Sequence, residues 1–430
     1  MATRRSNIEL EKEQEERRRK RLQRQREEKR RRQKRKVMIM RILLLCIFAG
    51  IILSIVFGVR GCNQRNAAEK ARQEKYDSLM SSLSDISEDP LECARILAGQ
   101  YDYATALEVL TSVKDYKSDD AIAAAVEEYE TAQADLVSYD VDKVPQLTFH
   151  TLIVDENQAA AMAGDPTVAA ANQNTMGLAA FTQRLQQLYD EGYVLVSMSD
   201  LASMEENADG KNVMKKGEIL LPEGKTPFVL SQTDVTYPTV LAGAGYGSRM
   251  TLGEDGTPTV EYILGDGSIS AGDHDVVPIV DTFIEEHPDF SYKGARGVIA
   301  LKGADGFLGY RTDEEKTAAK PLIEALKAEG WELASNGYGD VSYGSTFDQF
   351  QADVDAWENS TGTWLGDVNI LLYPYGTDIA SWSDYTGDNQ KYTYLKEKGF
   401  LYFSNEDQQN EYMVQIRDNY VRQARKSAFS

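Results

Sequence analysis

Residues 227–232, PFVLSQ, form a short apolar run that ends just before the polar pair Thr233-Asp234. A run of this length is typical of a strand that is buried on both faces of a parallel sheet. Similar runs recur along the second half of the chain: QLTFH (146–150), YVLVSM (193–198), GVIAL (297–301), WELAS (331–335), NILLYP (369–374), FLYFS (400–404) and YMVQI (412–416). The sequence therefore predicts seven or eight short strands.

Helical patterns separate most of these runs, with apolar residues spaced by three and four. They cover 177–191, 276–287, 313–329, 346–358 and 390–398. Strands that alternate with helices predict an α/β fold, here a deformed (β/α) barrel over 144–430, with functional groups at the carboxyl ends of its strands. The segment 239–270 carries the turn signals GEDGTP and GDGS and predicts a hairpin inserted into the barrel.

A different pattern precedes the barrel. Residues 60–140 contain the helical stretches ECARILAGQYDYATALEVL and AIAAAVEEYETAQADLV. One or two helix pairs are too few for a repeat solenoid, so we interpret this region as a helical stalk.

Residues 37–59 predict a transmembrane helix, because Ile42–Val59 is 18 residues long and carries no charge. The basic cluster that ends at Lys36 places the N-terminus in the cytoplasm and residues 60–430 outside a single-pass cell membrane protein. Two alternatives remain open. One is a cleaved signal peptide, and the other is lipoprotein processing at Cys62, since Val59–Cys62 faintly resembles a lipoprotein cleavage box.

Charge is distributed unevenly along the chain, whose net charge is −21. Residues 1–36 hold 17 Lys and Arg against 7 Asp and Glu, a net +10 that leaves −31 for the rest. The acidic exterior argues against a nucleic-acid partner. The arm has strong helix formers and predicts a basic helix that contacts anionic lipid; the alternative is a topology signal alone.

Six motifs in order resemble the polysaccharide deacetylases, the family with the NodB-homology domain (carbohydrate esterase family four). They are VPQLTFHTL, LYDEGYVLVSMSDL, TPFVLSQTDVTYP, GFLGYRT, LKAEGWELASNGYGD and ILLYPYGTDI, all within 144–430. The resemblance implies a metal-dependent enzyme that removes N-acetyl groups from a cell-envelope glycan, with a divalent metal as cofactor.

Carried over residue by residue, the resemblance puts Thr233 at the position of the general base and Asp234 at that of a metal ligand. Asn336 and Asp340 stand where the family has its two metal histidines. Threonine is no base near neutral pH, and an all-oxygen set favours Mg²⁺ or Ca²⁺ over zinc. His150, at the end of the first strand, is the candidate substitute base, although strand-end histidines are often structural.

Aromatic residues near strand ends suggest a sugar site. Tyr310 and Arg311, in GFLGYRT, are candidates to hold a sugar by stacking and hydrogen bonding, or else to lock a loop. Tyr373 and Tyr375, in YPYG, are candidates to line a glycan groove, or else core residues.

Two functions follow from these residues. The first is a non-catalytic protein that keeps the barrel and binds an N-acetylated cell-envelope glycan, because the base and both imidazoles are replaced together. The alternative is an active metal-dependent deacetylase with an altered site.

Overall fold

A computed structural model describes residue 40 and residues 70–84, 86–407 and 414–428. Its helices run over Pro90–Gly99, Tyr103–Ser112, Asp120–Ala134, Glu156–Ala161, Pro166–Gln173, Leu178–Asp190, Val276–Glu286, Asp313–Ala318, Lys320–Ala328, Phe347–Trp357, Thr363–Leu365 and Gln390–Glu397. The strands are β1 (Val137–Tyr139), β2 (Gln146–Phe149), β3 (Tyr193–Leu195), β4 (Ala202–Glu206), β5 (Asn212–Lys216), β6 (Ile219–Leu221), β7 (Thr226–Gln232), β8 (Gly247–Leu252), β9 (Pro258–Ile263), β10 (Ile269–Gly272), β11 (Gly297–Leu301), β12 (Trp331–Ser335), β13 (Ile370–Leu372), β14 (Tyr402–Glu406), β15 (Val414–Arg417) and β16 (Tyr420–Ser427).

Seven parallel strands close into a barrel, which confirms the predicted α/β barrel fold. Their order around the barrel is β11, β12, β13, β14, β16, β2 and β7, and β7 pairs back onto β11 through Val298 and Ser231. Every neighbouring pair in this ring is parallel. β3 pairs with the first half of β7 and lies beside the ring.

Alternating residues on the barrel strands belong to two separate packed clusters. Leu230, Ile299 and Leu371 pack in the larger cluster, together with residues of the surrounding helices. Their neighbours Val229 and Ala300 pack in a second cluster that fills the barrel. Successive side chains of a strand point to opposite faces, so both faces of these strands are buried and their sequences are continuously apolar.

The strand that completes the barrel differs from the prediction. YMVQI was expected to be one of the barrel strands, but β15 forms an antiparallel hairpin with β16, and β16 occupies the place in the ring. β16 reads YVRQARKS, and its Arg422, Gln423 and Arg425 are buried. Because these buried residues are polar, β16 contains no apolar run, and the hydrophobic pattern of the sequence did not predict it as a strand.

The insertion after β7 has three strands rather than the two of a hairpin. β8, β9 and β10 form an antiparallel sheet that begins at Gly247 and ends at Gly272. Val260 of β9 is fully buried in the larger core cluster, so this sheet is part of the main packed body.

Three helices of the predicted stalk, Pro90–Gly99, Tyr103–Ser112 and Asp120–Ala134, belong to the same compact unit as the barrel, which spans residues 80–430. The Tyr101 hydroxyl donates to the backbone oxygen of Asp289 at 2.8 Å, and the Lys293 N–H donates to the Gln100 oxygen at 2.8 Å. Tyr101 packs within the cluster that fills the barrel. These helices are therefore packed onto the barrel rather than serving as a free spacer.

The basic arm, 1–36, and the predicted membrane segment, 37–59, lie outside the described residues, apart from Met40. Within the described ranges, no helix combines the length and apolar character needed to cross a bilayer.

Two carboxyl groups lie together beside Arg296 at the amino ends of β11 and β12. Arg296 Nε donates to Asp281 Oδ1 at 2.9 Å, and Trp331 Nε1 donates to the same oxygen at 3.1 Å. Glu329 hydrogen-bonds Asp281 as well. Burial, and then the charge of Asp281, raise the pKa of Glu329 to about 8, so Glu329 carries the proton that the two carboxyls share at neutral pH.

This pair makes stability depend on pH. Because the folded protein raises the pKa of Glu329 from 4.5 to about 8, the stabilising contribution is complete below about pH 4.5 and is lost as pH rises through about 8. We expect Glu329→Gln to match the unchanged chain at pH 5 and to exceed its unfolding free energy by about 1 kcal/mol at pH 8.5, a value reduced for partial exposure. Urea unfolding at both pH values measures this, with exposed Glu324→Gln as the control. If the unfolding free energy of Glu329→Gln were lower than that of the unchanged chain by the same amount at both pH values, the prediction would be wrong.

Candidate functional site

A cleft of about 370 Å³ opens at the carboxyl ends of the barrel strands. Its charged and polar lining includes His150, Asp234, Lys302 and Asp340. Its other wall comes from the helix Pro166–Gln173 and the loop after β7, which contribute Ala170, Ala171, Pro238, Leu241 and Tyr246. Such clefts at the carboxyl end of a parallel barrel are the usual position of ligand sites.

The strand period of two places the polar groups at this end. Thr148, Ser231, Ala300 and Ala334 are buried residues near the carboxyl ends of four barrel strands. The residues two positions further along the chain are His150, Thr233, Lys302 and Asn336. Side chains two apart share a face, so these four continue the inward-facing rows past the ends of the strands.

Asp234 is held at the centre of the cluster. It has a φ of 59°, in the left-handed region that Asp tolerates better than most residues. Its backbone N–H donates to Asn336 Oδ1 at 3.2 Å. Its carboxylate lies 3.6 Å from His150 Nδ1 through Oδ2 and 3.2 Å from Lys302 Nζ through Oδ1. The strained turn thus aims the carboxylate into the cleft between an imidazole and an ammonium.

Lys302 also lines the cleft, although the sequence analysis did not select it as a candidate. Its Nζ donates to Asp340 Oδ1 at 2.8 Å as well as contacting Asp234. Burial alone would lower the pKa of Lys302, but the two carboxylates more than offset it and raise the pKa above its ordinary value. The hydrogen bond from Lys302 in turn lowers the pKa of Asp340. Lys302 and Asp340 are therefore both charged at neutral pH.

Asn336, expected as a metal ligand, uses both ends of its amide within the protein. Its side chain is 2% exposed, its Nδ2 donates to the Leu372 oxygen at 2.9 Å, and its Oδ1 accepts from the Asp234 N–H. Asn336 therefore fixes the Asp234 turn and joins it to β13. It is a positioning residue for the cleft.

The residues present do not fit the divalent metal that the resemblance implies. The carboxylates of Asp234 and Asp340 already flank an ammonium, and the Asn336 side-chain oxygen already accepts from the Asp234 backbone N–H. Within the described part of the chain, no group of three His, Cys, Asp or Glu side chains is arranged to hold a metal ion. In this structure two of the three predicted metal ligands, Asp234 and Asp340, are instead bridged by the Lys302 ammonium; we call them the lysine-bridged carboxylate pair.

His150 and Thr233 lie together at the base of the cleft. The Thr233 hydroxyl is 3.3 Å from His150 Nδ1, and Asp234 lies just beyond the same nitrogen. Burial lowers the pKa of His150, more than the neighbouring Asp234 carboxylate raises it, so the imidazole is neutral at neutral pH. A neutral, partly exposed imidazole can accept a proton or a hydrogen bond, whereas Thr233 serves to orient it.

Tyr310 and Arg311 have the contacts of a locked loop, the second of the two roles considered for them. Tyr310 is 7% exposed and packs in the larger core cluster, with the Arg249 guanidinium 5.1 Å from its ring centre. Arg311 donates through its guanidinium to the backbone oxygens of Gly309 and Tyr237. Neither residue lines the cleft.

Tyr373 and Tyr375 differ from each other. Tyr373 is fully buried, and its hydroxyl lies 2.7 Å from that of Tyr385, so it is a core residue rather than part of a groove. Tyr375 is 64% exposed and hydrogen-bonds Asp340 at the edge of the cluster. None of the four residues expected to bind substrate lines the cleft, but the hydrogen bond to Asp340 places Tyr375 beside a lining residue.

Comparison with known proteins adds no identification. No family model matches the chain, no curated protein matches it, and no solved structure matches it. The fold and the residue contacts described above are accordingly the basis for a function.

Proposed function

We propose that this protein binds an N-acetylated cell-envelope glycan in the cleft at the carboxyl end of its barrel, without metal-dependent hydrolysis. The resemblance of the six ordered motifs to polysaccharide deacetylases supplies the ligand class. The observation that carries the proposal is the lysine-bridged carboxylate pair, because a deacetylase of that family needs a metal to activate water and to polarise the acetyl carbonyl.

The cleft suits part of a neutral sugar chain. Its volume of about 370 Å³ lies within the range of small-molecule sites, and its lining combines the polar groups around Asp234 with an apolar wall. The exposed ring of Tyr375 at its edge offers a surface on which a sugar ring can pack. In this proposal residues 37–59 anchor the chain in the cell membrane, the arm 1–36 contacts anionic lipid on the cytoplasmic side, and the barrel faces the envelope.

Glycan binding is tested by calorimetry with the purified full chain and N-acetylglucosamine oligomers. We expect saturable binding that EDTA leaves unchanged, and much weaker binding of glucose oligomers of equal length, which lack the acetamido group. Acetate release is measured in parallel with Co²⁺, Zn²⁺ and Mg²⁺. Absence of sugar binding would refute the proposal. Metal-dependent acetate release that Asp234→Ala abolishes would favour the active deacetylase instead.

A further inference from the structure

The Lys302 ammonium lies between two carboxylates in the cleft, where a cation can donate a hydrogen bond to a bound ligand. It is 3.2 Å from Asp234 Oδ1 and 2.8 Å from Asp340 Oδ1, and these carboxylates follow two different barrel strands. All three side chains line the cleft. The protein thus supplies its own cation, fixed by a covalent stem, between two acidic groups that would otherwise repel each other.

An ammonium group has three N–H donors, and the described structure gives that of Lys302 two acceptors, the carboxylates of Asp234 and Asp340. One donor is left for the cleft. The three charges sum to −1, which disfavours an anionic ligand group at this point. A neutral carbonyl oxygen is the acceptor that this arrangement accommodates best.

We propose that Lys302 is the ligand-binding donor of the cleft and that it takes the role of the metal by hydrogen-bonding the acetamido carbonyl oxygen of a neutral N-acetylated sugar. This inference rests on the proposed glycan-binding function and specifies its chemistry. The apolar wall from Ala170, Ala171 and Leu241 provides surface for the acetyl methyl in the same cleft. A sugar with a free amine in place of the acetamido group lacks the carbonyl and is expected to bind poorly.

Binding of tri-N-acetylglucosamine to full-length variants tests the role of Lys302. A hydrogen bond from a charged donor predicts a tenfold to hundredfold loss of affinity for Lys302→Met and a loss of less than threefold for Lys302→Arg, which keeps a cationic donor. The matched control is Lys398→Met, which also removes a lysine held by two carboxylates, Asp355 at 2.8 Å and Glu358 at 3.6 Å, outside the cleft. The control should bind as tightly as the unchanged chain, with EDTA present or absent.

A second readout uses Co²⁺ alone and does not depend on any sugar. Removing the ammonium leaves the Asp234 and Asp340 carboxylates without their cation, so Lys302→Met should bind Co²⁺ at least tenfold more tightly than the unchanged chain or Lys302→Arg. Circular dichroism verifies that each variant is folded. If the unchanged chain binds no sugar, the proposed function fails, and the Co²⁺ result alone decides whether Lys302 blocks a metal. A folded Lys302→Met that keeps sugar affinity within threefold would overturn the inference, whatever its Co²⁺ affinity.

Discussion

Replacement of Asp275 with alanine is expected to lower the unfolding free energy by about 3–5 kcal/mol, because its fully buried carboxylate joins four parts of the barrel's carboxyl end. It accepts from the Leu152 N–H at 3.0 Å, from Gln232 Nε2 at 2.9 Å and from the Tyr237 hydroxyl at 2.6 Å. It also accepts from the Val276 N–H at 2.9 Å, at the start of the helix Val276–Glu286. Alanine would leave these donors buried without an acceptor.

Urea unfolding of the full chain measures this loss. Asp273→Ala is the matched control, since Asp273 is an exposed aspartate two residues away, and it should change stability by less than about 0.5 kcal/mol. The loss of unfolding free energy for Asp275→Asn should lie between those of Asp275→Ala and Asp273→Ala. An asparagine keeps one acceptor oxygen, but its NH₂ group faces some of the donors that the carboxylate accepted from. A loss below about 1 kcal/mol for Asp275→Ala would show that water replaces the carboxylate and that the network is dispensable.

The barrel was predictable where its strands are apolar on both faces. The run GVIAL matches β11 residue for residue, because its small and branched apolar side chains are buried on both faces of the strand. WELAS matches β12 as well, although it includes Glu332, which accepts from the Met198 and Ser199 N–H groups. β1, β4, β5 and β6 carry no such signal. They form two-stranded sheets outside the ring; most residues of β1, β4 and β5 are exposed, and β6 is an apolar triplet too short to stand out.

The positions of the site were predictable, but its contacts were not. Asp234, His150 and Asp340 all line the cleft, since each follows a barrel strand. Lys302 also follows a strand, but a lysine in that place is ordinarily solvated. Its importance comes from carboxylates 68 and 38 residues away in sequence, and only the closed barrel brings them within 3.2 Å. Lys302 could have been identified by continuing the alternation of inward-facing residues two positions past the end of each strand.

The aromatic residues were the least predictable part of the site. Tyr373 directly follows β13 and Tyr310 lies in the long loop after β11, yet both are buried and Tyr375 is exposed. Tyr375 has a φ of 55°, a left-handed conformation that turns it out of the core. Local sequence contains no clear indication of that backbone angle, so groove and core interpretations could not be separated beforehand.

The closing strand β16 depends on a buried ion pair. Arg422 is fully buried, and its Nη1 lies 3.0 Å from Asp378 Oδ2, whose side chain is 5% exposed. Arg422 also donates to the Ser383 oxygen at 3.0 Å, and its guanidinium is stacked near the rings of Trp382 and Tyr385. This cluster joins β16 to the loop after β13 and explains how an arginine is accommodated in a ring strand.

We expect Arg422→Met and Asp378→Asn each to lose about 3–5 kcal/mol of unfolding free energy, because each leaves a buried charge without its partner. The double variant should lose about 2–3 kcal/mol less than the two single losses added together, since it leaves neither charge behind. Urea unfolding of the four chains gives this coupling energy. The matched control is the exposed pair Arg417 and Asp384, 2.9 Å apart with side chains 46% and 56% exposed, where the coupling should be below about 1 kcal/mol. Equal coupling in the two cycles would mean that water solvates Arg422 and Asp378 in the native barrel, and that packing alone holds β16 in the ring.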